Sequence, residues 1–299
     1  MTATTKPATP DETFERHRGR AFAVAYRILG SASDAEDAVQ EAWLRWRGTD
    51  TAGIRNPEAW LVTAVARLAI DQLRTARARR ETYVGPWLPE PIVTAARESE
   101  PTPEDRLALA DDISIALLHV LERLAPEERA AFLLHDAFDY DYGELAALLG
   151  KSEAACRQTV SRARRRVQET HPRFDTSARE HARLAAAFSA AISSADPKAL
   201  LDCFTEDVVL LSDGGGKALA ALNPIYGADH VMRFLLGILR KRPDGFRLEP
   251  AIVNGLPGFI AYDDTGVHST LGFAVIDGKI SALYMMRNPD KLQRVDLRR

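Results

Sequence analysis

At 299 residues the chain is longer than one core usually supports, so two or three domains are expected. Its hydrophobic and charged fractions, 46% and 27%, are ordinary for a globular protein, and a net charge of −3 excludes general coating of nucleic acid, leaving any such contact to local basic faces. The two cysteines, Cys156 and Cys203, lie far apart, give no disulfide or metal pattern, and fit a reducing cytosol.

The N-terminal MTATTKPATPDET has no apolar signal core, and no apolar run reaches membrane-spanning length. No membrane partner is expected, and the first ten or so residues are expected to be disordered. Residues 11–82 read as a helical domain. Phe14, Ala21, Val24, Ala25, Ile28 and Leu29 recur at helical spacing until Gly30. Ser33 or Asp34 starts a second helix with an apolar stripe of Ala35, Ala38, Val39, Ala42, Trp43 and Trp46. Beside it run Asp34, Glu36, Asp37 and Glu41. Such a ridge suits a protein-docking surface with aromatic anchors, or equally an ordinary amphipathic helix with a wet acidic face. After a loop over residues 48–53, Asn56-Pro57 opens a third helix. Trp60, Leu61, Val65, Leu68 and Leu73 supply its core, while Arg67, Arg74, Arg77, Arg79 and Arg80 make it increasingly basic. That loop and helix could hold an extruded base of single-stranded DNA; the alternative is a core helix with a basic tail.

Residues 83–104 are rich in proline and lose helical periodicity, which marks a linker. Trp87, Leu88, Ile92 and Val93 are too apolar for a solvated tether, so part of it should dock. Residues 105–172 are helical again. Asp111 to Leu124 is amphipathic, and Ala125-Pro126-Glu127-Glu128 begins another helix. The stretch YGELAALLGKSEAACRQTVSRARRRV then describes an apolar helix ending at Gly150, a Lys151-Ser152 turn with Ser152 as cap, and a second helix bearing Arg157, Gln158, Ser161, Arg162, Arg164, Arg165 and Arg166. This reads as a helix-turn-helix with its second helix in a DNA groove. The long cations reach phosphates, and Gln158 and Ser161 reach base edges. A solvated basic helix end is the plainer alternative; capping, length and charge together favour DNA. His171-Pro172 halts the chain.

Residues 177–299 change character. A helix over residues 178–194 is followed by strands expected at 208–211, 246–253, 259–263, 268–276 and 279–286, interrupted by a helix at 229–242. The Asp277-Gly278 turn between alternating apolar runs is a hairpin signal. The whole is expected to be multidomain: two all-α domains followed by an α+β cone, which could enclose an interior pocket. Asp213-Gly214-Gly215-Gly216-Lys217 lacks phosphate-loop spacing and reads as a flexible inter-strand loop, with Asp213 or Lys217 free to pair with a neighbouring segment. Asp207, Asp213, Tyr262, Asp263, His230 and His268 are scattered, without the spacing of a dyad, triad or metal cluster. No catalytic residue and no cofactor are expected. The tail could still be an enzyme or a ligand sensor fused to a helix-turn-helix regulator, distinguished by whether ionisable groups converge inward.

The order of parts resembles an extracytoplasmic-function sigma factor of bacterial RNA polymerase. The acidic DAEDAVQEAWLRW, the basic-ended NPEAWLVTAVARLAIDQLRTARARRE, the linker and the helix-turn-helix ending SRARRRV carry that resemblance over residues 11–170. The tail is similar to a SnoaL-like domain of the NTF2-like superfamily, and the strings WLPEP, DGGGK and NPDKL resemble marks of the SnoaL-tailed subgroup. The resemblance implies four parts: sigma region 2 (11–82), a linker (83–104), sigma region 4 (105–172) and a regulatory tail (177–299). It implies that Asp34, Asp37, Glu41 and Trp43 grip the β′ coiled coil of core polymerase, whose β and β′ subunits and promoter DNA are the expected partners. Arg47, Asn56 and Trp60 would open and read the −10 element, and Arg67, Arg74 and Arg77 would hold its backbone. Arg157, Gln158, Ser161, Arg162 and Arg165 would read the −35 element. Trp87, Leu88, Pro89, Glu90 and Pro91 of the linker, with Asp213, Gly214, Gly215, Gly216, Lys217, Asn288, Pro289 and Asp290 of the tail, would form the regulatory contact. A cytoplasmic transcription protein that is not an enzyme is the expectation.

Overall fold

The computed structural model describes residues 9–80, 82–95, 114–170 and 178–295, without the side chains of residues 52, 76–80, 95, 170 and 178. The disorder expected at the N-terminus, the helix start expected at Asp111, the stop at His171-Pro172 and the side chains of Arg77, Arg79 and Arg80 lie outside the described residues. The elements, in chain order, are α1 (Pro10–Leu29), α2 (Ala32–Arg47), α3 (Pro57–Arg80), β1 (Val93–Ala95), α4 (Ile115–Leu121), α5 (Pro126–Asp136), α6 (Tyr142–Leu149) and α7 (Glu153–Thr170). These are followed by α8 (Ala178–Ser194), α9 (Pro197–Cys203), β2 (Phe204–Asp213), β3 (Ile225–Tyr226), α10 (Ala228–Arg240), β4 (Arg247–Val253), β5 (Leu256–Asp263), β6 (Gly266–Ile276), β7 (Lys279–Met286) and α11 (Pro289–Leu292). Two compact units form: residues 1–77, 100–111 and 124–166 make the first, and residues 78–99, 112–123 and 167–299 the second.

In the first unit α1 opens on a reciprocal cap, Glu12 N–H donating to Thr9 Oγ1 (3.2 Å) and Thr9 N–H to Glu12 Oε2 (2.8 Å). It closes at Gly30 with φ 68°. Extended backbone at Ser31 then lets that serine, rather than Ser33 or Asp34, cap α2 by accepting from Asp34 N–H. Trp46 is buried, its indole N–H donating to the Pro10 carbonyl (2.9 Å) and its ring set edge-on to Trp60 at 5.3 Å. It is therefore core and not the surface anchor that its spacing beside Trp43 allowed. Arg129 of α5 is also buried, and its Nε–H donates to the Arg27 carbonyl of α1 (3.1 Å). In the same contact Arg27 and Arg20 lie over the Phe138 ring.

The second unit is built on one seven-stranded sheet in the order β1-β4-β5-β6-β7-β2-β3. All neighbours are antiparallel except β2 and β7, which run parallel. Helices α8, α9 and α10 cover one face, where Phe188, Phe204, Phe259 and Phe273 pack ring against ring. The opposite face buries Ile260, Ala274, Tyr284 and Met286 beneath Leu88, Ile115 and Ala116. A sheet covered on both faces explains why β5, β6 and β7 are almost continuously buried rather than alternating. Gly272 lets α4 approach closely: a Cβ there would stand 3.1 Å from Ile115 Cγ2.

Burial makes this unit acid-sensitive. His119 of α4 sits 5.8 Å from the Tyr284 ring, and burial, with Arg123's charge second, pushes its pKa down to about 4. The unfolded chain therefore protonates first, near the ordinary value of 6.5. The stability held by neutral His119 is complete above that pH and is lost as pH falls towards 4. Up to roughly 3 kcal/mol is at stake. Urea unfolding between pH 7 and pH 4 measures the loss, and His119→Gln is expected to flatten the profile by its share. Buried His181 acts in the same direction and accounts for part of the remainder.

Candidate nucleic-acid interface and linker contact

Helix α7 is built to present cations. Cys156, Val160 and Ala163 are buried on one side, and Arg157, Gln158, Ser161, Arg162 and Arg165 are exposed on the other. The turn before it has Gly150 at φ 65° and Ser152 Oγ accepting from Ala155 N–H (3.3 Å). Arg157, Gln158, Ser161 and Arg162 line one open groove of about 410 Å³. Arg162 and Arg166 reach Glu128 at 3.8 and 2.6 Å, and Arg164 binds Asp136 through two nitrogens. These arginines are about half exposed, so each pair contributes at most about 1 kcal/mol and yields readily to a phosphate.

The α2–α3 face holds the other basic set. Asn56 is exposed and caps α3, its Oδ1 accepting from Ala59 N–H (3.1 Å). Trp60 lines a mostly apolar pocket of about 410 Å³ with Ala59, Thr63, Ala64, Arg45 and Arg67. An aromatic wall with arginines around it suits a planar base. On α2, Asp34 is half-buried and Asp37 exposed, Glu41 pairs with Arg45 (2.9 Å), and Arg47 lies over the Trp43 ring at 5.0 Å. In this unit Arg67 donates to the Ala147 and Leu148 carbonyls at the end of α6 (3.0 and 3.2 Å). Arg74 pairs with Glu127 (2.5 Å), which also holds Lys151 of the α6–α7 turn. Two cations assigned to DNA are thus engaged by the helix-turn-helix side of the same unit.

In the second unit, Asp213 is fully buried. Its carboxylate accepts from Tyr83 Oη (2.6 Å), Leu88 N–H (2.8 Å) and Lys291 Nζ (2.8 Å). Lys291 donates also to the Leu88 carbonyl (2.5 Å) and lies 4.0 Å over the Trp87 ring. Asn288 Nδ2 donates to Tyr83 Oη (2.9 Å), and burial followed by the Asp213 bond pushes that phenol's pKa up. Gly215 and Gly216 let the loop pass beneath the linker, and Gly214 lets it fold back on Ala218. A Cβ on Gly215, at φ 59°, would lie 2.2 Å from Asn288 Nδ2, and one on Gly216 3.3 Å from Val84. Lys217 pairs with Asp290 (2.5 Å), and Pro289 starts α11. Pro89, Glu90 and Pro91 are buried, Arg294 standing 3.9 Å from Glu90. β1 then adds to the edge of β4, with Asn254 N–H donating to the Ile92 carbonyl (2.8 Å). The loop read as flexible is therefore a packed junction, because three linker and tail donors converge on its one carboxylate. Tyr83 and Lys291 were missed as site residues, although each lies in or beside a string already singled out.

Of the tail's other ionisable groups, His268 meets Arg287 (Nε2 to Nη2, 2.9 Å) with the Asp263 charge close enough to act on both. Asp207 and His230 are exposed, Asp263 and His268 half-buried, and Tyr262 lies in the outer-face core. Among the described residues no cluster could hold a metal ion, and no helix is long and apolar enough to cross a membrane.

The Sigma-70 region 2 model matches residues 13–79 and the Sigma-70 region 4 model residues 114–167. Over 290 residues the chain is 41% identical to the ECF RNA polymerase sigma factor SigJ of Mycobacterium tuberculosis, covering 93% of this chain and 91% of the relative. This chain belongs to the ECF RNA polymerase sigma factors. It is also 30% identical to the probable ECF sigma factor SigI of Mycobacterium tuberculosis, over 92% of each chain. The crystal structure of Mycobacterium tuberculosis SigJ superposes with a TM-score of 0.76 at 38% identity, over 93% of this chain and 96% of that one. The sigma factor therefore carries helical regions 2 and 4 followed by a SnoaL-like α+β tail, binds core RNA polymerase and promoter DNA, and initiates transcription. Its relatives are initiation factors, not enzymes. The region 4 match starts at residue 114, so its first helix, α4, is one that folds against the tail's sheet.

Proposed function

We propose that this sigma factor works in the cytoplasm as a two-point promoter reader whose tail restrains it by holding the linker. Asp34, Asp37, Glu41 and Trp43 grip β′; Arg47, Asn56 and Trp60 handle the −10 element, with Arg67, Arg74 and Arg77 on its backbone; Arg157, Gln158, Ser161, Arg162 and Arg165 read the −35 element. The buried Asp213 junction carries the regulatory part of this reading. A connector pinned to the tail through Tyr83 Oη, Leu88 N–H and the Leu88 carbonyl, with an ammonium–indole contact and an added strand, restrains independent movement of the two DNA-binding regions. Because the tail is on the same chain, its effective concentration at the linker is on the order of millimolar, so even a weak interface stays closed. Polymerase opens it only by binding the open state better.

Arg67 and Arg74 fit the same scheme. Their bonds are exposed enough to be exchanged for DNA phosphates at small cost. The tail is read as a regulator and not as an enzyme, since, among its described residues, the one fully buried carboxylate is spent on the linker.

Trp87→Ala is the test. It removes the ring under Lys291 without touching region 2 or region 4. Transcript yield with core polymerase is expected to rise several-fold. An unchanged or lower yield, with the chain still folded, contradicts restraint by the linker contact.

A further inference from the structure

We infer that Tyr142 is a positioning residue for −35 recognition, the platform that aims Arg157 at a guanine edge. This rests on the assignment of Arg157 to the −35 element. Tyr142 opens α6, with Asp141 capping the helix through Glu144 N–H (2.8 Å). Its ring packs against His135, whose ring centroid lies 4.4 Å away, and His135 is fixed in turn by its Nδ1 contact to the Tyr140 carbonyl (2.7 Å). The Arg157 guanidinium carbon stands 4.9 Å over the Tyr142 ring.

The geometry separates Arg157 from its neighbours. Arg164 and Arg166 are hydrogen-bonded to Asp136 and Glu128, so a base or phosphate must first displace a carboxylate from their N–H donors, and Arg162 stands 3.8 Å from Glu128. A ring under the guanidinium takes up no N–H donor, so Arg157 keeps its donors for a ligand in the groove that it lines with Gln158, Ser161 and Arg162. A planar fork held in place and left open at its edge is the donor that pairs with guanine O6 and N7 in the major groove. Tyr142 thereby lowers the ordering cost of Arg157 as a reader of a base.

The experiment is transcription by core polymerase with the full chain on templates carrying each single substitution in the −35 element. Arg157→Ala is expected to lose about tenfold discrimination at one guanine position. Tyr142→Leu, which keeps apolar bulk but removes the π-face, is expected to lose several-fold at that same position. Tyr142→Phe should retain the wild-type ratio, and the Tyr142→Leu/Arg157→Ala double variant should discriminate no worse than Arg157→Ala alone. If Tyr142→Leu lowers all templates equally, or leaves the ratio intact while Arg157→Ala abolishes it, the positioning role is overturned. If Arg157→Ala itself leaves every ratio unchanged, the assignment of Arg157 fails and the positioning role falls with it.

Discussion

Asp213→Ala is expected to lower the stability of the tail unit by about 3–5 kcal/mol, the range found when one partner of a buried ion pair is removed. The carboxylate is fully buried, and three donors depend on it. Its loss takes the buried carboxylate away from the Lys291 ammonium, itself only 12% exposed. Asp213→Asn keeps the shape and one acceptor for Leu88 N–H, so its cost should be smaller. Urea denaturation gives the magnitude, and hydrogen exchange at the Leu88 amide locates it. A loss under about 1 kcal/mol with Leu88 still protected would mean that the junction is held by the apolar contacts of Leu88, Pro89 and Pro91 instead.

The second large effect is expected at α2. Asp37→Arg with Glu41→Arg should weaken binding to core polymerase by about a hundredfold, since opposing like charges across an interface costs several kcal/mol. Asp37 is exposed, and Glu41 is engaged only by a half-exposed Arg45, worth less than about 1 kcal/mol. The fold should therefore tolerate the change, with an unaltered thermal transition as the control. Affinity within about threefold of wild type would remove this face from the polymerase contact.

Much of the fold was legible because local chemistry and periodicity agreed. Gly150 and Ser152 bracketed the helix-turn-helix turn, the Asp277-Gly278 signal placed the β6–β7 hairpin, and Lys279–Met286 was read to its ends. What was missed depends on tertiary partners. β1 is three residues long and exists because β4 offers an edge, so nothing in Val93-Thr94-Ala95 alone announces it. Asp213 looked like a loop residue because Gly214, Gly215 and Gly216 follow it; Gly215 and Gly216 instead give the backbone room beneath Tyr83, Val84 and Asn288. A clue was present in the runs of β5, β6 and β7, which are apolar on both faces. Such strands require a cover on each side, and the linker with α4 supplies the second one. Trp46 and Trp43 show the limit of periodicity: both fall on the same stripe, yet only a structure separates the buried ring from the half-exposed one.

Run-off transcription with purified bacterial core polymerase puts the whole account to its most direct trial. Core enzyme plus the full chain should yield transcript from a template bearing both −35 and −10 elements, with none from core enzyme alone, and Asp213→Ala, assayed below its unfolding transition, should raise that yield. A chain that fails to associate with core polymerase both as wild type and as Asp213→Ala would contradict it.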